Sequence, residues 1–503
     1  MRYSSSITLL VVSALLLTLT AGCTGTPSAT AAASPADQAY ARGLDEYAAG
    51  NYRIAEKTFS EASALYAAAG DAEGAKKARD AMFRAFRTYV EYSLNRSAAA
   101  AAMREAFPDL AEQAIRDWLE TGVQTIVSEN ETLYYDAVQN YLSAHPGLRR
   151  EVEGTSVDMD VVGRWALSGN RSETGPYGSP VRYQGTETLA IPHEYLPSTG
   201  IIRIWFPLPV ETGSQQNVTV TSLSYPEYIV KGPFTTGDVG YVYYEIPGGK
   251  VGGDLVLTAD IGFTSYEQYF TVDPAAVGEY NTSDPEYLLY TASERNIEIT
   301  DAIRAKAREI VGNETNPYRM AQRIYAYVLS TYTYSHVPHV SLDVREPHVA
   351  ESTYMFETGH GDCGTQSMLF AALCRAVGIP ARAIGGYQML VTETPSCHFW
   401  AQYFVPGYGW VPTDLTLAEA GEWFAIPDEK RAQLQEYYGH NLDPARFVIQ
   451  KRVDVPMDPA LPDDAVATRV VMQRPAVVSD TAAYDIDLFS AVYFSVDLIA
   501  VDT

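Results

Sequence analysis

Gly359-His360-Gly361-Asp362-Cys363-Gly364-Thr365-Gln366-Ser367 is the stretch that decides how this chain is read. Asp362 is a residue type whose side chain accepts from the free amides at a helix start. An apolar run from Met368 to Val377 follows, and Gly378 with Ile379-Pro380 ends it as a C-cap and stop. The pattern predicts a helix from Cys363 to about Val377, with Cys363 in its first turn. The positive end of a helix favours a thiolate, and the thiolate is the nucleophilic form of cysteine. Glycines on both sides leave room for a substrate backbone. The alternative is a buried structural thiol, which suits Cys374, further along the same helix, better than Cys363 at its polar entrance.

A nucleophilic cysteine needs an imidazole, and the imidazole needs an orienting group. The chain has only 8 histidines, so the search is short. Arg382–Leu390 and His398–Phe404 read as adjacent antiparallel strands, Pro406–Gly409 as the next turn, and Trp410–Asp414 as the start of another strand. His398 follows Cys363 by 35 residues, and Asp414 follows His398 by 16. The hairpin sets Asp414 beside His398. Cys363 is thereby the candidate nucleophile, His398 the base and acid, and Asp414 the group that fixes the imidazole tautomer. The Cys363 N–H is a natural oxyanion donor, and Tyr334 is a candidate second donor.

Three blocks carry a resemblance: Gly361-Asp362-Cys363-Gly364 through Arg382, then His398-Phe399-Trp400, then Gly407-Tyr408-Gly409-Trp410-Val411-Pro412-Thr413-Asp414. In order and spacing this resembles the transglutaminase-like superfamily of papain-like thiol enzymes, over about residues 290–417. The resemblance implies an α+β core, with the cysteine helix packed on an antiparallel sheet, and acyl transfer through a thioester. Members crosslink glutamine to lysine, deamidate, or hydrolyse amides, and some that have lost the triad only bind. All three positions are filled here. Eukaryotic members need calcium, but no loop carries the spaced carboxylates of a calcium site. The expectation is therefore an enzyme with no metal and no cofactor.

Neighbouring residues read as bystanders. His360 reads as a solvated loop histidine, with substrate contact as the alternative. Cys397 lies next to His398 on a strand, so the two side chains point to opposite faces. Cys374 lies about 16 Å of helix rise from Cys363, which argues against a Cys374–Cys397 disulfide. A zinc site from Cys363, Cys397 and His398 is unattractive because adjacent strand residues diverge.

The remaining chain sets the address and architecture. A net charge of −26 argues against nucleic acid and against electrostatic attraction to anionic lipid. Arg2, the apolar run Ile7–Thr20 and Leu19-Thr20-Ala21-Gly22-Cys23 resemble a lipoprotein signal. The run is too short for a comfortable membrane span. The expectation is a signal peptide over 1–22, lipidation of Cys23, a tether over 23–35, and a protein held outside the cytoplasmic membrane by that lipid alone. Residues 36–150 read as helical. Gly43, Gly50, Tyr52, Ala55, Phe59 and Ala62 resemble one tetratricopeptide unit with its turn at Gly50-Asn51, and further helices are expected at Ala72–Leu94, Ala99–Phe107, Leu110–Glu120 and Leu133–Ser143. This region is either a protein-partner scaffold or a spacer. Period-two runs over 180–275 predict an antiparallel β-sandwich. Residues 285–450 form the predicted catalytic core. Residues 451–503 are a β-rich tail, in which Tyr484–Leu488 and Ala491–Val496 are candidate edge strands for the sandwich.

The fold class is thus multi-domain α+β, with helical hairpins, sandwich and core in that order. The function expected is an extracytoplasmic thiol acyltransferase, protease or amidase acting on protein or peptide amides. A non-enzymatic surface scaffold is the alternative. Whether water or an amine receives the acyl group is not encoded in any pattern of residues.

Overall fold

The computed structural model describes residues 33–145, 147–148, 159–168, 175–339, 342, 348–390, 395–423, 426–462, 472–480 and 493–501. The expected signal peptide, Cys23, most of the tether and the candidate strand Tyr484–Leu488 lie outside these residues. Among the described residues no helix is long and apolar enough to cross a membrane.

The N-terminal region begins with α1 (Pro35–Ala48), α2 (Tyr52–Ala68) and α3 (Ala72–Glu91). Ser34 and Asp37 close a capping box at the start of α1. Gly50, with φ of +79°, makes the expected turn between α1 and α2. Then come β1 (Leu94–Asn95), α4 (Arg96–Ala106), α5 (Glu112–Thr121), β2 (Thr125–Ser128), β3 (Glu131–Tyr134), α6 (Ala137–Ala144) and α7 (Met159–Ala166). The helix expected from Leu133 starts four residues later. Residues 125–134 instead form a hairpin whose turn residues, Glu129 and Asn130, both have positive φ. The alternation Ile126/Ser128 buried, Val127 exposed is a strand period.

Two sheets form the sandwich. One carries β4 (Tyr177–Ile191), β6 (Gln215–Leu223) and β9 (Leu255–Tyr269), and the other β5 (Ile201–Pro207), β7 (Ile229–Phe234) and β8 (Tyr241–Pro247). Ile202, Ile204 and Phe206 of β5 and Val242 of β8 are buried with Leu189 and Ile191 of β4 and Leu255 and Leu257 of β9.

The core follows in chain order: α8 (Pro285–Thr291), α9 (Asp301–Val311), α10 (Pro317–Thr331), β10 (Thr333–Tyr334), α11 (Glu351–Thr358), β11 (His360–Gly361), α12 (Cys363–Ala376), β12 (Ala381–Gln388), β13 (Ser396–Val405), β14 (Gly409–Thr413), α13 (Leu415–Trp423), α14 (Asp428–His440), β15 (Asn441–Leu442) and β16 (Arg446–Gln450). Its antiparallel sheet runs β14-β13-β12-β16. Every residue of α12 is buried, as a helix packed on all sides must be.

Strands late in the chain stitch the sandwich and core together. β15 pairs with β9. Phe447 of β16 stacks between Tyr387 of the core and Phe263 of the sandwich. In the tail, β17 (Ala476–Ser479) pairs with β5, and β18 (Tyr493–Val501) pairs with β4. The helical region also docks on the core. Ser143 Oγ donates to the Tyr334 carbonyl at 2.7 Å, Asn140 Nδ2 donates to Ser335 Oγ at 3.2 Å, and Asp136 meets His336 at 2.8 Å. The β10 strand held this way pairs in parallel with β11, two residues before Cys363.

Candidate active site

Cys363 is the first residue of α12, as the capping pattern predicts. Asp362 Oδ1 accepts from the N–H groups of Gly364 and Thr365, each at 3.0 Å. The approach to the cysteine is tight. A Cβ on Gly361 would stand 2.1 Å from Thr365 Oγ1 and 2.6 Å from Met355 Sδ, so only glycine fits. A Cβ on Gly364 would stand 3.4 Å from the Phe399 ring, so the head of α12 lies beside the residue that follows His398.

His398 Nε2 lies 2.8 Å from Asp414 Oδ2, and both side chains are buried. Asp414 comes directly after β14, and its Oδ1 accepts from the Leu417 N–H at 3.0 Å, capping α13. Burial pushes the Asp414 pKa up. The charges of His398 and Arg446, with hydrogen bonds from His398 and Leu417, outweigh it and bring the value down to about 2. An ionised Asp414 can only accept, so Nε2 carries the proton and Nδ1 is left to receive one.

Behind this pair lies a set of residues that motif spacing did not reveal. Arg446 Nη1 donates to Asp414 Oδ2 at 2.7 Å, and its Nη2 donates to Asp443 Oδ2 at 2.5 Å. The guanidinium sits 5.3 Å from the Trp400 ring centre. Asp443 also accepts from the Tyr438 hydroxyl at 3.1 Å. Two carboxylates and one guanidinium leave one negative charge while His398 is neutral. That charge is balanced once His398 takes a proton. Gln473, from the tail, donates to the carbonyls of His398 at 2.9 Å and Gly386 at 2.7 Å, fixing both strands where the histidine stands.

The thiol itself departs from expectation. Burial, followed by the adjacent Asp362 carboxylate, pushes the Cys363 pKa well up; the Phe399 N–H works against this, and Asp414 and Cys397 add to it. The helix start does not by itself produce a resting thiolate, because Asp362 brings a negative charge to the same end. His339 partly answers that charge. Its Nε2 lies 2.8 Å from Asp362 Oδ2 and its Nδ1 lies 2.8 Å from Glu351 Oε1. Burial works against a charged His339, but the two carboxylates outweigh it and hold its pKa well above the ordinary value.

Tyr334 sits on β10 with its ring 5.2 Å from that of Trp423. Its N–H donates to Glu419 Oε1 at 2.7 Å, and Glu419 Oε2 accepts from Gln366 of α12 at 2.6 Å. Glu419 and Trp423, with Tyr332 and Thr333, line a cleft of about 690 Å3; neither Cys363 nor His398 lines it. His360 is not the solvated loop residue expected. It is half-buried on β11 against Tyr354, and burial lowers its pKa. Cys374 is a buried free thiol and Cys397 an exposed one, facing Tyr387 across the β12–β13 ladder. Among the described residues no three His, Cys, Asp or Glu side chains are grouped to hold a metal ion.

Cys363 thus heads a buried helix, His398 stands on the antiparallel sheet, and Asp414 follows the next strand, in that chain order. Residues 304–415 match the model of the transglutaminase-like superfamily core, so the chain carries a transglutaminase-like domain. A protein-glutamine gamma-glutamyltransferase of Pseudomonas aeruginosa is 24% identical over 137 residues, which is 25% of this chain and 20% of that relative. The chain thus spans a fifth of the length of this curated relative. Among solved structures, a proposed cysteine protease from Cytophaga hutchinsonii is similar over 65% of this chain and 93% of its own, with a TM-score of 0.41 and 14% identity. The periplasmic domain of TgpA from Pseudomonas aeruginosa is similar over 56% of this chain and 96% of its own, with a TM-score of 0.24 and 14% identity.

Proposed function

We propose that the chain is a thiol enzyme acting on protein or peptide amides through Cys363, His398 and Asp414. The observation that carries this is the buried 2.8 Å His398–Asp414 pair beside a cysteine at the head of a buried helix. His398 Nδ1 takes the thiol proton as Sγ attacks the amide carbonyl. The tetrahedral oxyanion is met by the Cys363 N–H, one of the amides a helix start leaves without an internal acceptor. As the C–N bond breaks, the imidazolium returns the proton to the departing nitrogen, and a thioester remains. Water or an amine then attacks the thioester, again losing a proton to His398, and Sγ leaves. Burial and the Asp362 carboxylate favour the protonated thiol, so His398 is assigned to take the proton during attack.

The test is to supply a glutamine-containing peptide together with a labelled primary amine, and to score amine incorporation, ammonia release and peptide cleavage. Acid quenching followed by mass analysis should trap an acyl adduct on Cys363. Turnover that survives Cys363→Ala sinks the proposal. We further infer, from Leu19–Cys23, that the protein is exported and lipidated at Cys23. Labelled palmitate incorporation lost in Cys23→Ser is the expected result, and incorporation that persists refutes it. The tetratricopeptide-like spacing of α1 and α2 supports a partner-binding role for the helical region.

A further inference from the structure

A cavity of about 140 Å3 opens at the end of the core sheet remote from Cys363. Four aromatic rings line it: Tyr280, Tyr287 of α8, Phe404 of β13 and Trp410 of β14. Their positions are locked by the fold. The Tyr280 hydroxyl donates to the Phe404 carbonyl at 2.7 Å, and the Tyr280 and Tyr287 ring centres are 5.3 Å apart. Phe404 and Trp410 are register partners across the β13–β14 ladder, with ring centres 5.5 Å apart and planes at 74°. The Arg382 guanidinium stacks 4.1 Å from the Trp410 ring centre and is itself held by Gln402, so Trp410 is braced from behind.

The charge at the mouth has one sign. Glu279, Asp284 and Glu286 border the cavity and are exposed, and no Lys, Arg or His lines it. Aromatic faces attract cations through the ring quadrupole and give anions nothing. Carboxylates within a Debye length of about 10 Å add to that attraction. The size is also selective. A cavity of about 150 Å3 holds a molecule the size of benzene, which suits an ammonium head with its neighbouring carbons.

We propose that Tyr280, Tyr287, Phe404 and Trp410 form a binding site for an alkylammonium cation, either a lysine-type side chain or a free quaternary amine. The site is separate from the thiol chemistry. His398 and Phe404 are six residues apart on β13, about 20 Å at the usual strand rise. A cation held there is anchored, not reacted. The proposal stands whether or not Cys363 is a nucleophile.

The experiment is titration of the full chain by calorimetry at constant ionic strength. The probes are choline, its neutral isostere 3,3-dimethylbutan-1-ol, and a capped Gly-Lys-Gly peptide. The expected result is that at least one cation binds about tenfold more tightly than the neutral isostere. Tyr287→Ala, and separately the exposed pair Glu279→Gln with Glu286→Gln, should each weaken that binding in proteins whose unfolding transition is retained. Tighter choline binding identifies a free quaternary amine as the natural class, and tighter peptide binding identifies a side chain. Equal affinity for the neutral isostere, no binding of either cation, or binding unchanged in both variants overturns the proposal. If Tyr287→Ala does not fold, the surface double variant decides alone.

Discussion

Glu187 occupies a core-facing position of β4 between Tyr183 and Leu189, is fully buried, and among the described residues has no hydrogen-bond partner on either carboxylate oxygen. Burial alone raises its pKa well above 4.5. Replacing it with methionine keeps the length and removes the unpaired group. Two contributions set the expected gain. An unpaired polar group costs roughly 1–3 kcal/mol to bury, judged from protein mutational data, and this applies even to the neutral acid. The second depends on pH. Above 4.5 the unfolded chain has released this proton while the folded chain keeps it, so the unfolded state binds fewer protons and stability falls as pH rises. The slope approaches about 1.4 kcal/mol per pH unit until the folded pKa is reached. Below 4.5 this second contribution vanishes. Urea unfolding of wild type and Glu187→Met, followed by the fluorescence of Trp205 and its neighbours at pH 4.5, 5.5 and 6.5, measures both. The difference between the two proteins should start at the smaller value and widen with pH. A difference that stays flat over that range refutes a buried, unpaired carboxyl.

Asp443→Asn leaves Arg446 to neutralise Asp414 alone, so the imidazolium of His398 loses the charge that offsets it. The acid limb of the pH–rate profile should move to lower pH, with kcat falling more than KM rises; an unmoved limb argues against the charge balance. Alkylation of Cys363 by iodoacetamide should quicken about tenfold per pH unit through neutrality, because the thiol rests protonated, and a rate independent of pH between 6 and 9 would show a preformed thiolate instead. His339 contributes stability that is fully present below about 6.5 and is lost as pH rises through its elevated folded value. His339→Gln should cost about 1–2 kcal/mol at pH 6, below the 3–5 kcal/mol of a fully buried pair because a third of the side chain meets solvent. It should also flatten the alkaline fall in thermal stability; an unchanged fall would remove His339 from that role.

The parts of this protein that could be read ahead of the structure share one property: their cause is local. Asp362 caps the helix that follows it, Gly378 closes that helix, and the Pro406–Gly409 turn sets β13 beside β14. His398 and Asp414 were legible because a single hairpin separates them. Arg446 and Asp443 were not, since Arg446 lies 32 residues beyond Asp414, with two helices between them. Gln473 lies 75 residues from the carbonyl it holds, in a tail with no motif. The raised Cys363 pKa has a related cause. The helix start is a local favour to a thiolate, but the cap that makes the helix start is itself an anion. The β2–β3 hairpin escaped notice because its turn is Glu-Asn, not one of the glycine-containing pairs that usually mark such turns.

The docking of α6 on β10 has a consequence for how the helical region and the thiol share free energy. A chain of polar contacts runs from Asn140 and Ser143 to Tyr334 and Ser335, and through the β10–β11 pairing to Gly361. Reciprocity would follow if both sites favoured the same one of two arrangements of these contacts. A partner that binds the helices more tightly when β11 is in its reactive position raises the population of that position by the same factor. An acyl group on Cys363 then raises the partner's affinity by that factor in turn. A partner on the helices with no preference between arrangements of β11 would leave Cys363 unaffected, however tightly it bound.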